Sequence, residues 1–342
     1  MRTSSGRVAR DRSGSGIRCA LFVALAIAAA GPATAGSDTH AIPTTPLPAF
    51  ETPPPVSSRP PGDALALAPE QLARLPGAAD PEIRAAWRRA SDLEAALRLD
   101  EAADAYRALI PRLPGSAAPY WRVARAEWRI GDGTPRDDGE GKLLHYGRAA
   151  EWSERGIALD PGCAECMLWH YAALGRLTMT EGVLSGLRRA RTMERLLDRA
   201  IALEPHYRDN DWNSTLGNLY YARAIWNRMV PEWWFLPLVA GVKGDKRQAL
   251  EDIEHAVALH PDRIDYRVEK GAILLCLGTD RGRPETVAAG RSVLRDALAL
   301  EPRLESDPQD LALARVLLQE PEKSCGYSRE GFVDLDDVKG RL

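Results

Sequence analysis

Five prolines constrain this chain more than any other feature. The phrases ALIPRLPGSA, GIALDPGCA, AIALEPHYR, AVALHPDRI and ALALEPRLE recur, aligned on Pro114, Pro161, Pro205, Pro261 and Pro302. Twelve residues before each proline stand Ala102, Ala149, Met193, Ala249 and Gly290. Eight before stand Tyr106, Ser153, Leu197, Ile253 and Leu294, and five before stand Leu109, Gly156, Ala200, Ala256 and Ala297. Separations of three, four and seven return to one side of an α-helix, so these small or apolar residues form a single stripe. Small side chains let a partner helix come close. Proline then ends the helix, because it has no N–H and disfavours helical geometry in the residue before it.

Upstream of each such helix lies another amphipathic stretch, clearest in NSTLGNLYYARAIW (213–226), where Leu216, Gly217 and Tyr220 follow Asn213 at spacings of three, four and seven. Paired helices closed by a proline turn make an αα-hairpin, and stacked hairpins make a solenoid in which each unit buries its apolar face on the next. These residues resemble the tetratricopeptide repeat (TPR), whose pattern is Trp-x2-Leu-Gly-x2-Tyr, then Ala-x3-Phe-x2-Ala, then Pro. The prolines stand 47, 44, 56 and 41 residues apart, against the roughly 34 of an uninterrupted repeat, so most units carry insertions. The expected fold is all-α, a TPR-like superhelix of about five irregular hairpins. DPQDLALARVLLQEP (307–321) supplies a C-terminal capping helix.

The stretches ALDPGCAECMLWHYAALGRL, TMTEGVLSGLRRARTMERLLDRAIALEP, WNSTLGNLYYA and GVKGDKRQALEDIEHAVALHPDRIDYRVEKGAILL give a narrower resemblance. Over residues 80–305 the chain is similar to the T-component (TatT) proteins associated with TRAP-type transporters, and microtubule-dynamics regulators share a similar helical core. The resemblance implies a helical protomer perforated by a ligand-accepting channel. It also implies oligomerisation as a trimer and work beside a solute-binding protein.

Residues 1–35 read as an export signal: Arg2, Arg7, Arg10, Arg12 and Arg18 precede the apolar run CALFVALAIAAAG, and ATA follows at 33–35. The expected destination is the periplasm or the exterior, with the signal either cleaved or kept as the sole membrane anchor. Residues 36–78 are Pro-rich and read as a disordered linker, 79–320 as the repeat domain, and 321–342 as a C-terminal tail. The whole chain holds 45 Lys and Arg against 48 Asp and Glu, and losing the five signal arginines tips the balance further toward acid. Phosphate backbones require basic clusters, so nucleic acid is excluded as a partner.

Cys163 and Cys166 open a helix just after a Pro-Gly turn, where the helix N-terminus would favour a reactive thiolate. Oxidoreductases present this motif from a strand-helix unit, and no convincing strand run follows residue 80. Covalent haem needs His after the second Cys, where Met167 stands, and zinc needs a second ligand pair. The readings are a local disulfide, two buried thiols, or redox chemistry, the first being usual in an exported protein. The same compartment lets Cys325 fold the tail back onto Cys276.

The insertion RMVPEWWFLPLVAGVKGD (228–245) is more apolar than a loop requires. Trp233, Trp234 and Phe235 either plug the solenoid as core or form a binding surface, and Trp212, Tyr220, Tyr221 and Trp226 reinforce either reading. GDGTPRDDGEGK (131–142) lacks the glycine and hydroxyl positions of a phosphate loop and the acidic spacing of a calcium loop, so it reads as a solvated turn. No metal site, cofactor motif or nucleophile elbow is found. The resulting expectation is a non-enzymatic binding protein with a small solute or a protein as partner, as a transporter accessory or an envelope adaptor. A thiol-disulfide enzyme is the third alternative.

Overall fold

A computed structural model describes residues 44–45, 67, 69–135, 137–181, 183–329 and 331–335. The stretch read as an export signal lies outside the described residues, as does most of the Pro-rich segment. Helices α2 (Pro81–Ala95) and α3 (Leu99–Arg107) form the first hairpin, after a short α1 (Pro69–Ala73). The second is α4 (Ala118–Gly133) with α5 (Gly139–Leu159), and the third α6 (Ala164–Glu181) with α7 (Val183–Ala202). In the fourth, α8 (Thr215–Met229) and α10 (Lys246–Leu259) are separated by the one-turn α9 (Leu236–Val239). Helices α11 (Ile264–Asp280) and α12 (Pro284–Ala297) make the fifth, and α13 (Asp307–Gln319) follows. The fold is thus an all-α array of TPR-like hairpins. No helix among the described residues is long and apolar enough to cross a membrane.

Each of the five prolines stands just beyond the second helix of its hairpin. All fifteen stripe positions are buried. Two of them show how close the helices come. A Cβ on Gly156 would lie 2.6 Å from Cys166 Sγ, and one on Gly290 would lie 3.0 Å from Gly271 O. The N-termini are set by side-chain caps: Asp80, Asp138, Ser214 and Asp245 accept hydrogen bonds from backbone N–H groups of the first turns of α2, α5, α8 and α10. Asp138 belongs to the 131–142 loop, which is therefore a helix-to-helix turn.

Along α4, Arg122, Arg125 and Arg129 recur on one face and are all buried. The Arg122 guanidinium sits among the rings of Trp121, Trp87, Tyr207 and Tyr106, 4.3 to 5.6 Å from their centroids, and donates to the Tyr207 hydroxyl. Arg125 bonds Glu94 (2.6 Å) and Asp209 (2.8 Å), joining the first hairpin to the turn after α7. Burial pushes the Glu94 carboxyl up, but Arg125 and Arg129 outweigh it and hold the group below its ordinary range.

Three boundaries differ from the sequence reading. Leu67, Leu72, Leu75 and Ala78 pack with Trp87, Ala90 and Tyr106, and Trp87 Nε1 donates to Pro76 O at 3.0 Å. The folded array therefore begins inside the stretch read as a linker, whose proline content masked Leu72 on a short helix and Leu75 just after it. Short strands also occur. β2 (Arg208–Asn210) pairs antiparallel with β3 (Asn213–Ser214) across a bulge, and β4 (Tyr327–Ser328) with β5 (Gly331–Val333). At two or three residues each they are too short for alternation to show. Finally, β1 (Thr44–Thr45) adds to β5, with Thr44 opposite Val333 and Thr45 opposite Phe332.

The segment after α13 folds back onto the array. Tyr327 and Phe332 join the core of α11 and α13 with Val268, Leu275 and Leu317. Cys276 and Cys325 are bonded, with Cα atoms 4.8 Å apart. Arg228 on α8 uses all five of its N–H groups here. Two go to Glu269 (2.6 and 3.1 Å), and three to the backbone carbonyls of Ser324, Cys325 and Tyr327 (2.9 to 3.0 Å).

Candidate ligand cavity

The first helices of the second, third and fourth hairpins turn their inner faces toward one cavity of about 480 Å³. The spacing explains the lining. Leu168, Ala172, Gly175 and Met179 return to one side of α6, as Asn218, Tyr221, Ile225 and Met229 do on α8, and Trp128 and Asp132 on α4. The second helices spend their stripe on neighbouring helices, so the first helices are left to line the hollow. Met193 and Ala190 of α7 close one side, and Tyr327, Ser328, Arg329 and Val333 of the returning tail close another.

One region of the wall is apolar. Trp128 and Trp169 stand with ring centroids 5.7 Å apart, and Tyr171 meets Trp226 edge-on at 6.5 Å. The other region is charged but internally matched. Arg129 pairs with Glu305 at 2.8 Å, Arg176 with Asp132, Arg228 with Glu269 at 2.6 Å, and Arg263 with Asp265 at 2.6 Å. Arg329 holds Asp310 at 2.8 Å, and Arg125 holds Glu94 and Asp209. Burial pushes the Asp265 carboxyl up, yet Arg263 outweighs it and keeps the group below its usual range. Burial raises the phenols of Tyr171, Tyr221 and Tyr327, so all three stay neutral. The amides are spent as well: Asn218 bonds Asn213 at 2.9 Å and accepts from the Tyr266 hydroxyl at 2.8 Å.

Among the described residues, three neutral polar groups of the wall are buried without a hydrogen-bond partner: the indole N–H of Trp128, that of Trp226, and the Thr178 hydroxyl; Arg125 Nε also makes no hydrogen bond but lies 2.6 Å from Glu94 Oε1.

Of the aromatic residues singled out by sequence, Tyr221, Trp226 and Trp233 line the cavity. The other four do not. Trp212 lies under the guanidinium groups of Arg263 and Arg303, 4.7 and 5.7 Å away. Tyr220 stacks on His255 at 4.9 Å, and Phe235 stacks on Trp233 at 5.6 Å. Trp234 is 81% exposed. The insertion is divided rather than core or surface. Trp233, Leu236, Ala240 and Val242 face the cavity, while Trp234, Leu238 and Val239 are turned outward and are 81%, 80% and 65% exposed. Sequence reasoning missed Trp128, Trp169, Tyr171 and Arg176, although Trp128 and Asp132 stand four apart on the same side of α4. The tail residues Tyr327 and Arg329 had no sequence signal beyond Cys325.

Cys163 and Cys166 are bonded to each other, with Cα atoms 5.3 Å apart. They are buried beside Ala117 and Trp121, where exchange with a second dithiol has no access. Cys276, Asp280 and Cys325 bring three metal-ligating atoms within 4.8 Å of one another, but the two sulfurs are joined.

The family described as RMD1-3, Regulator of microtubule dynamics protein 1-3, matches residues 89–279, from within α2 to the last turn of α11. No curated protein matches. Solved structures do, 17 chains among them. One is a thermophilic TPR protein of Thermus thermophilus, at 16% identity and a TM-score of 0.46, covering 69% of this chain and 100% of that one.

Proposed function

The chain belongs to the family of regulators of microtubule dynamics 1-3, and from that premise we propose that it is a binding protein whose cavity captures a small molecule. The family supplies the helical array; the binding role rests on the cavity. One observation carries it: a hollow of about 480 Å³, within the range of small-molecule sites, is walled by aromatic and aliphatic residues where a solenoid core would be filled. The cavity holds a network of matched ion pairs in place of a nucleophile with its base, which supports a binding role over a catalytic one.

In its finer form this reading makes the chain an exported accessory that passes its ligand to a solute-binding protein of a transporter. The arginine-led apolar start and the two disulfides support export.

Gly175→Leu tests the central reading. Gly175 lines the cavity on α6, and a Cβ there meets only Met193 Cε at 3.6 Å, so a longer side chain has room to enter the hollow. Replacing a mid-helix glycine also favours the helix by up to about 1 kcal/mol. The expected result is unchanged or raised thermal stability with loss of the small molecule that native mass spectrometry finds with the wild-type protein. Retention of that molecule by the variant would remove the cavity from the function.

A second reading is favoured by the outward side of α9. Trp234, Leu238 and Val239 form an exposed apolar tip of the kind that anchors protein interfaces. On this reading the chain is an adaptor, and Trp234→Ser with Leu238→Ser abolishes partner capture while leaving the cavity ligand in place.

A further inference from the structure

We infer that the ligand of this cavity is uncharged, with an apolar body and an oxygen acceptor such as a ketone, ester or amide carbonyl. The inference rests on the reading of the cavity as a binding site and adds the chemistry of what enters it.

The charge ledger of the wall comes first. Six arginines line the cavity, and each is engaged by a carboxylate; the four carboxylates of the wall are each engaged by an arginine. A carboxylate or phosphate ligand meets guanidinium charge that is already balanced, so it adds an excess negative charge to a half-buried wall, and where it takes an arginine from its partner the separated pair costs several kcal/mol. An ammonium ligand meets the same obstacle from the acidic side. Transfer of an ion from water into such a wall is unfavourable, whereas a neutral molecule leaves the pairs intact.

The unspent groups then say what the neutral molecule must offer. Trp226 is 8% exposed, and its indole N–H, like that of Trp128, has no acceptor. Indole nitrogen donates and cannot accept, so two of the three unpartnered groups call for an oxygen on the ligand. The third, the Thr178 hydroxyl, can donate to an oxygen as well. A buried donor without an acceptor costs about 1–3 kcal/mol, and a carbonyl reached by a small turn of the indole removes that cost. Around these donors the wall is Trp169, Tyr171, Ile225 and Met229, which suits an apolar body.

Three probes with the same apolar body separate the alternatives: 2-nonanone, nonanoate and nonane, measured at pH 7.5 by calorimetry and native mass spectrometry on the full chain. 2-Nonanone is expected to bind, with nonanoate at least about tenfold weaker. Trp128→Phe, Trp226→Phe and Thr178→Val are each expected to weaken the ketone about 2- to 10-fold, the worth of one hydrogen bond, and to leave nonane unchanged. Thr178→Val keeps shape and Trp128 is only half-buried, so these two variants carry the test if Trp226→Phe loses helicity. Nonanoate binding as tightly as the ketone would overturn the inference, as would nonane binding equally well with all three variants silent. In those cases Gly175→Leu still blocks binding and the cavity reading stands. If wild type binds none of the probes the inference fails, and the cavity reading fails with it only if Gly175→Leu also retains the molecule found with the wild-type protein.

Discussion

At Asp307 and His260, two buried groups pull stability in opposite directions with pH. Asp307 accepts from the backbone N–H groups of Arg303 and Leu304 at 2.6 and 2.7 Å, but its Oδ1 has no partner. Burial first, then the charge of Asp265, push its carboxyl up to about 7. In the unfolded chain it titrates near 4. Between about 4 and about 7 the folded state holds a proton that the unfolded state has released, so this group makes stability fall as pH rises through that window. His260 works the other way. Its Nε2 lies 2.6 Å from the Ser214 hydroxyl that caps α8, and burial, with Arg263 and Arg208 adding, holds the imidazole at about 4 against an ordinary 6.5. Between about 4 and 6.5 the unfolded chain takes up a proton that the folded one refuses, so stability falls as pH drops. The two slopes oppose each other, leaving the Asp307 contribution alone from about 6.5 to 7. Asp307→Asn removes that slope. The expected result is a urea midpoint that climbs from pH 4.5 to 6.5 more steeply in the variant than in wild type and no longer falls between 6.5 and 7.5. An unchanged difference between the two proteins across this range would show that Asp307 ionises normally.

At the scale of helices, crossings are set by how small the facing residues are. A Cβ on Gly271 of α11 would come within 2.5 Å of Leu294 Cγ and Cδ2 on α12, while one on Gly147 of α5 would meet nothing within 4 Å. Gly271→Ala is expected to lose about 1–3 kcal/mol in urea unfolding by overpacking, and Gly147→Ala to gain up to about 1 kcal/mol from helix propensity. Equal effects would mean the α11–α12 contact yields freely. The stripe that placed Gly290 opposite Gly271 was legible because local chemistry writes it: proline stops, small residues at fixed offsets and capping aspartates act within a few residues. The insertion at 228–245 was legible as unusually apolar, with seven aromatics in or near it, but the sequence left open whether they are core or surface, and only Tyr221, Trp226 and Trp233 line the hollow. The remaining wall was not legible, because it is assembled across distance. Arg129 meets Glu305, 176 residues away, and Arg228 meets Tyr327, 99 residues away. Nothing in the spacing of either partner reveals such a pairing. Leu72 and Leu75 were hidden for a different reason, since the surrounding prolines dominate the composition there.

Taken as a whole, the molecule depends on its tail returning to the array, and the two disulfides contribute unequally to that. Cys276–Cys325 closes 49 residues and Cys163–Cys166 closes three. On the chain-entropy account the first is worth about 4 kcal/mol and the second under about 2. Cys276→Ser with Cys325→Ser is therefore expected to lower the melting temperature at least about twice as far as Cys163→Ser with Cys166→Ser. Similar shifts would mean that Arg228, the Arg329–Asp310 pair and the packing of Tyr327 and Phe332 secure the tail without the bond. Because Tyr327, Arg329 and Val333 are synthesised long after α6 and α8, the ribosome releases most of the hairpins before the hollow has its last wall. Hairpins can stack before the tail arrives, but the hollow gains its last wall only when the completed polypeptide has folded back on itself.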